Sequence, residues 1–66
     1  MRVVVNGRDM ELDAGSTVAA LVAGFKFQPN HVAVEVNREL VPRRTFQATP
    51  LNEGDQVEIV TLVGGG

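Results

Sequence analysis

Few side chains in this sequence are equipped for chemistry. It holds no cysteine and a single histidine, His31. A thiol nucleophile, a thiolate metal site and a disulfide framework are therefore excluded. Catalytic triads and His-rich metal sites also have nothing to be built from, so no catalytic residue and no metal ligand is assigned. His31 follows Gln28-Pro29-Asn30 in a stretch that reads as a loop, where a lone histidine is ordinarily solvated. Arg43 and Arg44 form either a small basic spot for a phosphate or acidic partner, or two solvated loop arginines. What remains is the end of the sequence, where Thr61-Leu62-Val63 runs directly into Gly64-Gly65-Gly66. Glycine is costly to order and offers nothing to pack. Three in succession predict a narrow, flexible leash that reaches roughly 10 Å when extended. A frayed end is the bland reading, since chain ends are commonly disordered. The sharper reading makes the Gly66 carboxylate the functional group. Its ordinary pKa of about 3.3–3.7 leaves it anionic and a poor electrophile at neutral pH, so it must be activated before anything attacks it.

The elements that would hold such a leash can be read in order. With 66 residues, the chain is expected to be one domain over residues 1–63, followed by a glycine tail over 64–66. That is near the lower size limit for folding without staples. The net charge of −2 argues against a nucleic-acid partner, which usually meets a basic footprint. No run approaches the ~20 apolar residues of a membrane span, and no signal-peptide pattern opens the sequence, so a cytoplasmic protein without a membrane partner is expected.

Arg2 to Asn6 and Arg8 to Leu12 flank Asn6-Gly7, the strongest short hairpin signal, because a type I′ turn needs positive φ at both central residues. Alternation turns Met1, Val3, Val5, Met10 and Leu12 inward and Arg2, Asp9 and Glu11 outward. After the turn Asp13-Ala14-Gly15, Ser16 and Thr17 offer two candidate N-caps. Val18, Leu21, Val22 and Phe25 then recur at helical spacing, forming one apolar stripe on a helix of about two turns. Gly24 is the expected stop, and Pro29 cannot continue the helix. Such a helix is too short to survive alone and must be clasped by a sheet. Val32 to Val36 alternates as a strand with Val34 and Val36 inward, and Asn37-Arg38 connects it tightly to Glu39-Leu40-Val41. Pro42 ends that strand, and Phe46 pins the following irregular segment to the core. Asn52-Glu53-Gly54-Asp55 is a turn by composition, and the last strand places Val57 and Ile59 inward.

The order β-β-α-β-β-β predicts a two-layer α+β domain. Its apolar first and last strands would lie side by side and parallel, joined through the helical crossover. This is a β-grasp, the ubiquitin-like architecture: a mixed sheet of four to five strands clasping one helix.

With that architecture in place, the sequence resembles the ThiS family, the sulfur carriers of thiamine biosynthesis. The resemblance rests on the hairpin at Asn6-Gly7, Gly15-Ser16-Thr17-Val18 at the helix start, and Val34-Glu35-Val36-Asn37 followed by Val41-Pro42-Arg43. Glu53-Gly54-Asp55 leading into Val57-Glu58-Ile59-Val60 and the terminal Gly65-Gly66 complete it. Gly64 is one glycine more than the family pattern requires. The resemblance implies that a ThiF-type adenylyltransferase activates Gly66, that a sulfur donor converts it to a thiocarboxylate, and that thiazole synthase of the ThiG type consumes the sulfur. The carrier itself would be no enzyme and hold no cofactor. A MoaD-type carrier for molybdopterin synthase, a carrier for another sulfur-containing metabolite, a protein modifier, and a ubiquitin-like interaction module with an incidental tail remain open alternatives.

Alternation also predicts a partner surface. With Val3, Val5, Val57 and Ile59 inward, Val4, Val60 and Leu62 point outward. Adjacent first and last strands would gather them into an apolar patch just before the leash, and such patches often mark interfaces. Simple β propensity, or burial against a second copy, is the competing reading.

Overall fold

Asn6 and Gly7 both take positive φ, 51° and 82°, and so turn the first strand back on itself in the two-residue hairpin expected of Asn-Gly. In the computed structural model, which describes residues 1–62, this hairpin joins β1 (Arg2–Val5) to β2 (Arg8–Glu11). The expected tail of Gly64, Gly65 and Gly66 lies outside the described residues. β3 (Val32–Val36) and β4 (Glu39–Val41) form a second hairpin, and β5 (Gln56–Thr61) closes the sheet in the order β2-β1-β5-β3-β4. β5 runs parallel to β1 and antiparallel to β3. The first and last strands are thus neighbours at the sheet centre, as their apolar character requires.

The one α-helix among the described residues, α1 (Val18–Gly24), begins at Thr17, whose hydroxyl accepts the Ala20 N–H at 3.2 Å. Of the two candidate caps, Thr17 serves; the Ser16 hydroxyl instead donates to the Asp13 carbonyl. Val18, Leu21 and Val22 are buried, and they pack with Val3, Val5, Val32, Val34, Val57 and Ile59 from the sheet. The fourth member of the stripe departs from expectation. Phe25 is 40% exposed because the helix ends at Gly24, and Phe25 is its C-cap. Lys26 then enters the left-handed region at φ 63°, which turns the following chain away from the helix direction. Phe25 stacks instead on Phe27, with centroids 5.7 Å apart. Phe46 and Leu51 close the core from below the helix, each 2% exposed. Phe46 does so from a 3₁₀ turn over Arg43–Ala48. Leu51 is held by its N–H bond to the Ser16 carbonyl at 2.8 Å.

The turn before β5 is built on one carboxylate. Asp55 is buried, with its Oδ2 accepting the Asn52 N–H at 2.8 Å and its Oδ1 accepting from Asn37 Nδ2 at 3.1 Å. A buried carboxylate is tolerated only when hydrogen-bonded in this way. Gly54 supplies the positive φ, 83°, that the turn requires.

Candidate functional site

β5 is the last strand among the described residues, and it is held from both sides. On one side β3 pairs with it from Val32↔Thr61 to Val36↔Val57, and the Leu62 N–H donates to the His31 carbonyl at 2.8 Å. On the other side β1 pairs with it at Val4↔Gln56 and Val5↔Val57. Two asparagines from the two hairpin turns add side-chain bonds to the β5 backbone. Asn37 Oδ1 accepts the Gln56 N–H at 3.0 Å, and Asn6 bonds both the N–H and the carbonyl of Ile59, at 2.8 and 3.2 Å. Neither contact is readable from a turn motif, because each depends on the register of strands far apart in sequence.

The register also revises the expected apolar patch. Val60, on the outer face of β5, and Leu62, the residue just past the strand, are 55% and 49% exposed. Val60 lies opposite Ala33. Val4 is half-buried and lies opposite Gln56, not Val60. Four strand positions separate Gln56 from Val60, about 13 Å at ~3.3 Å per residue, and Glu58 stands between them on the same face. The structure therefore brings Val60 and Leu62 together and leaves Val4 apart. The expectation of one three-residue patch rested on strand adjacency and facing alone, which do not set the register.

Other sequence candidates are dispersed. His31 is exposed at the end of a 3₁₀ turn, Pro29–His31. Arg43 and Arg44 are exposed at the start of their own 3₁₀ segment. The ion pairs among the described residues are the amino terminus with Glu11 and Arg2 with Asp9, so neither arginine is engaged by a described acid. No group of three or more potential metal-ligating residues occurs among the described residues. No helix among them is long and apolar enough to cross a membrane.

The five-stranded mixed sheet packed on α1 defines the class of fold, a ubiquitin-like β-grasp. Within that class the chain belongs to the ThiS family, whose family model matches residues 3–66 and so extends through the glycines. The chain is 34% identical to the sulfur carrier protein ThiS of Bacillus subtilis, over 94% of this chain and 96% of that protein. It is 42% identical over its whole length to a stretch of a thiazole synthase from Magnetococcus marinus. The chain spans only 20% of that relative and of a second thiazole synthase, from Paramagnetospirillum magneticum. Its fold superposes on the crystal structure of the thiamine biosynthesis protein ThiS from Geobacter metallireducens with a TM-score of 0.83 at 36% identity, covering 100% of both chains.

Proposed function

We propose that this ThiS-family sulfur carrier works through its last residue: Gly66 is adenylated, converted to a thiocarboxylate, and spent as a sulfur donor in thiazole formation. The observation that carries this reading is the family match running through residue 66. The chemistry follows from the carboxylate. An oxygen of Gly66 attacks the α-phosphorus of ATP, pyrophosphate departs, and the carboxylate becomes an acyl-adenylate with AMP as leaving group. Sulfide, or a sulfur donor delivering its equivalent, adds to the acyl carbon; AMP leaves and a thiocarboxylate remains. A ThiF-type adenylyltransferase performs these steps, and the carrier is its substrate rather than an enzyme.

Gly64 and Gly65 suit the task because they present no side chain to the walls of a narrow active-site channel. The existence of thiazole synthases containing a stretch similar to this whole chain supports a ThiG-type thiazole synthase as the consumer of the sulfur. Val60 and Leu62 form the docking surface for the adenylating partner, lying at the end of the strand that leads to the carboxylate. ATP–pyrophosphate exchange with a purified ThiF-type partner tests this function. Exchange dependent on the intact chain is expected, and its absence at saturating carrier contradicts the reading.

A further inference from the structure

We infer that Asn6 is a positioning residue for the terminal chemistry, because its carboxamide extends the β1–β5 ladder by one rung and so aims the strand end that leads to Gly66. This rests on the carrier function proposed above. β1 ends at Val5, where the chain must turn at Asn6-Gly7. The backbone ladder toward β5 nevertheless runs in regular steps: the Val4 N–H donates to the Asp55 carbonyl and the Asn6 N–H to the Val57 carbonyl, both at 2.9 Å. The next residue of β5 facing that edge is Ile59. Its N–H donates to Asn6 Oδ1 at 2.8 Å, and its carbonyl accepts from Asn6 Nδ2 at 3.2 Å. A carboxamide carries a donor and an acceptor like those of a peptide group, so the side chain stands in for the strand residue that the turn removed.

Asparagine is suited to both duties at this position. Its backbone sits at φ 51°, a left-handed conformation that asparagine tolerates better than most residues. Aspartate would tolerate the turn but has no donor for the Ile59 carbonyl. Asn6 is exposed and contributes nothing to the buried apolar cluster, so its side-chain bonds act on β5 rather than on the core.

Beyond Ile59, the described pairing of β5 runs through β3 alone, by way of Val32↔Thr61 and the Leu62 N–H to the His31 carbonyl. The strand end carrying Val60 and Leu62 is therefore a cantilever, with the Asn6 rung at its root. Without that rung the Ile59 groups turn to water and the end frays. A partner must then restore the order on docking, which weakens association.

The test uses Asn6→Gly, which keeps the positive φ and removes the carboxamide, and Asn6→Asp, which keeps the acceptor and sets an oxygen against the Ile59 carbonyl. Amide hydrogen exchange is read at Ile59, Val60 and Leu62, with Val34 in the core as reference. Carrier-dependent pyrophosphate exchange is measured with a ThiF-type partner. In both variants, exchange at the three β5 amides should accelerate about tenfold relative to Val34, and KM for the carrier should rise about tenfold with kcat within about twofold. A purely structural role would lower the thermal midpoint without splitting KM from kcat. Unchanged exchange at Ile59, Val60 and Leu62 in a folded Asn6→Gly chain overturns the inference, as does an unchanged KM. If the wild-type chain supports no pyrophosphate exchange, the adenylation reading fails, while the amide measurement still decides whether Asn6 orders the strand.

Discussion

Glu35 and Glu58 stand directly opposite one another on β3 and β5, two exposed carboxylates side by side on the outer face of the sheet. Like charges in a cross-strand pair are destabilising by a fraction of a kcal/mol. Neither takes part in an ion pair among the described residues. Glu58→Lys creates an opposite-charge pair and should stabilise the fold by about 0.2–1 kcal/mol at low salt. Urea denaturation at two ionic strengths checks this, since the gain should shrink as salt screens the pair.

The turns give a second prediction. Asn37 and Arg38 occupy left-handed φ values of 52° and 69° in the β3–β4 hairpin. Asparagine is at home there and arginine is not. Arg38→Gly should therefore raise stability by about 0.5–1 kcal/mol, the relief of strain exceeding glycine's entropic cost. Asn37 should respond oppositely, because its side chain bonds Asp55 and the Gln56 N–H. Asn37→Gly should cost about 1–3 kcal/mol through the buried Asp55 acceptor it abandons. Thermal unfolding of the two variants compares the signs directly.

These two asparagines mark how far the sequence could be read. The order of elements along the chain, the parallel pairing of first and last strands, and both tight turns were legible, since alternation and turn chemistry are local signals with definite spacings. The core positions Val3, Val5, Val18, Leu21, Val22, Val34, Val57 and Ile59 were legible for the same reason. Phe25 was misread because helical spacing was carried one residue past Gly24, the stop that the sequence itself offered; as the C-cap it lies outside the buried stripe. Val4 was separated from Val60 by register, which alternation leaves undetermined: a shift by an even number of residues preserves every face. The Asn6 and Asn37 contacts on β5 belong to the same blind spot. The reading of Gly66 came from composition and resemblance and concerns residues outside the described structure.

Docking offers a third prediction. Leu62→Asp and Val60→Asp should leave a folded monomer and weaken binding to a ThiF-type adenylyltransferase by roughly 1.5–3 kcal/mol each, the value of burying one such side chain. Val4→Asp, about 13 Å from Val60 along the strand direction, should weaken it far less. Calorimetric titration of the purified pair distinguishes these outcomes. Equal losses at all three positions would restore Val4 to the interface, and unchanged affinity at Val60 and Leu62 would remove that face from the mechanism.

Removing the glycines separates fold from function. Among the described residues the buried cluster ends at Ile59, so deletion of Gly65 and Gly66 should leave the thermal midpoint nearly unchanged and abolish pyrophosphate exchange. Gly65→Val should also fold, and it should slow activation because a β-branched side chain restricts and widens the segment. Scanning calorimetry beside the exchange assay reads both effects. Normal turnover of Gly65→Val would show that neither slimness nor backbone freedom matters at that position.

The central claim, that Gly66 itself carries the sulfur, is tested most directly by the intact mass of the chain after incubation with ATP, sulfide and a ThiF-type adenylyltransferase. The account predicts a gain equal to one sulfur replacing one oxygen, assigned by fragmentation to Gly66 and absent when ATP is withheld. An unmodified mass under conditions where the partner consumes ATP, or sulfur found on any other residue, would contradict it.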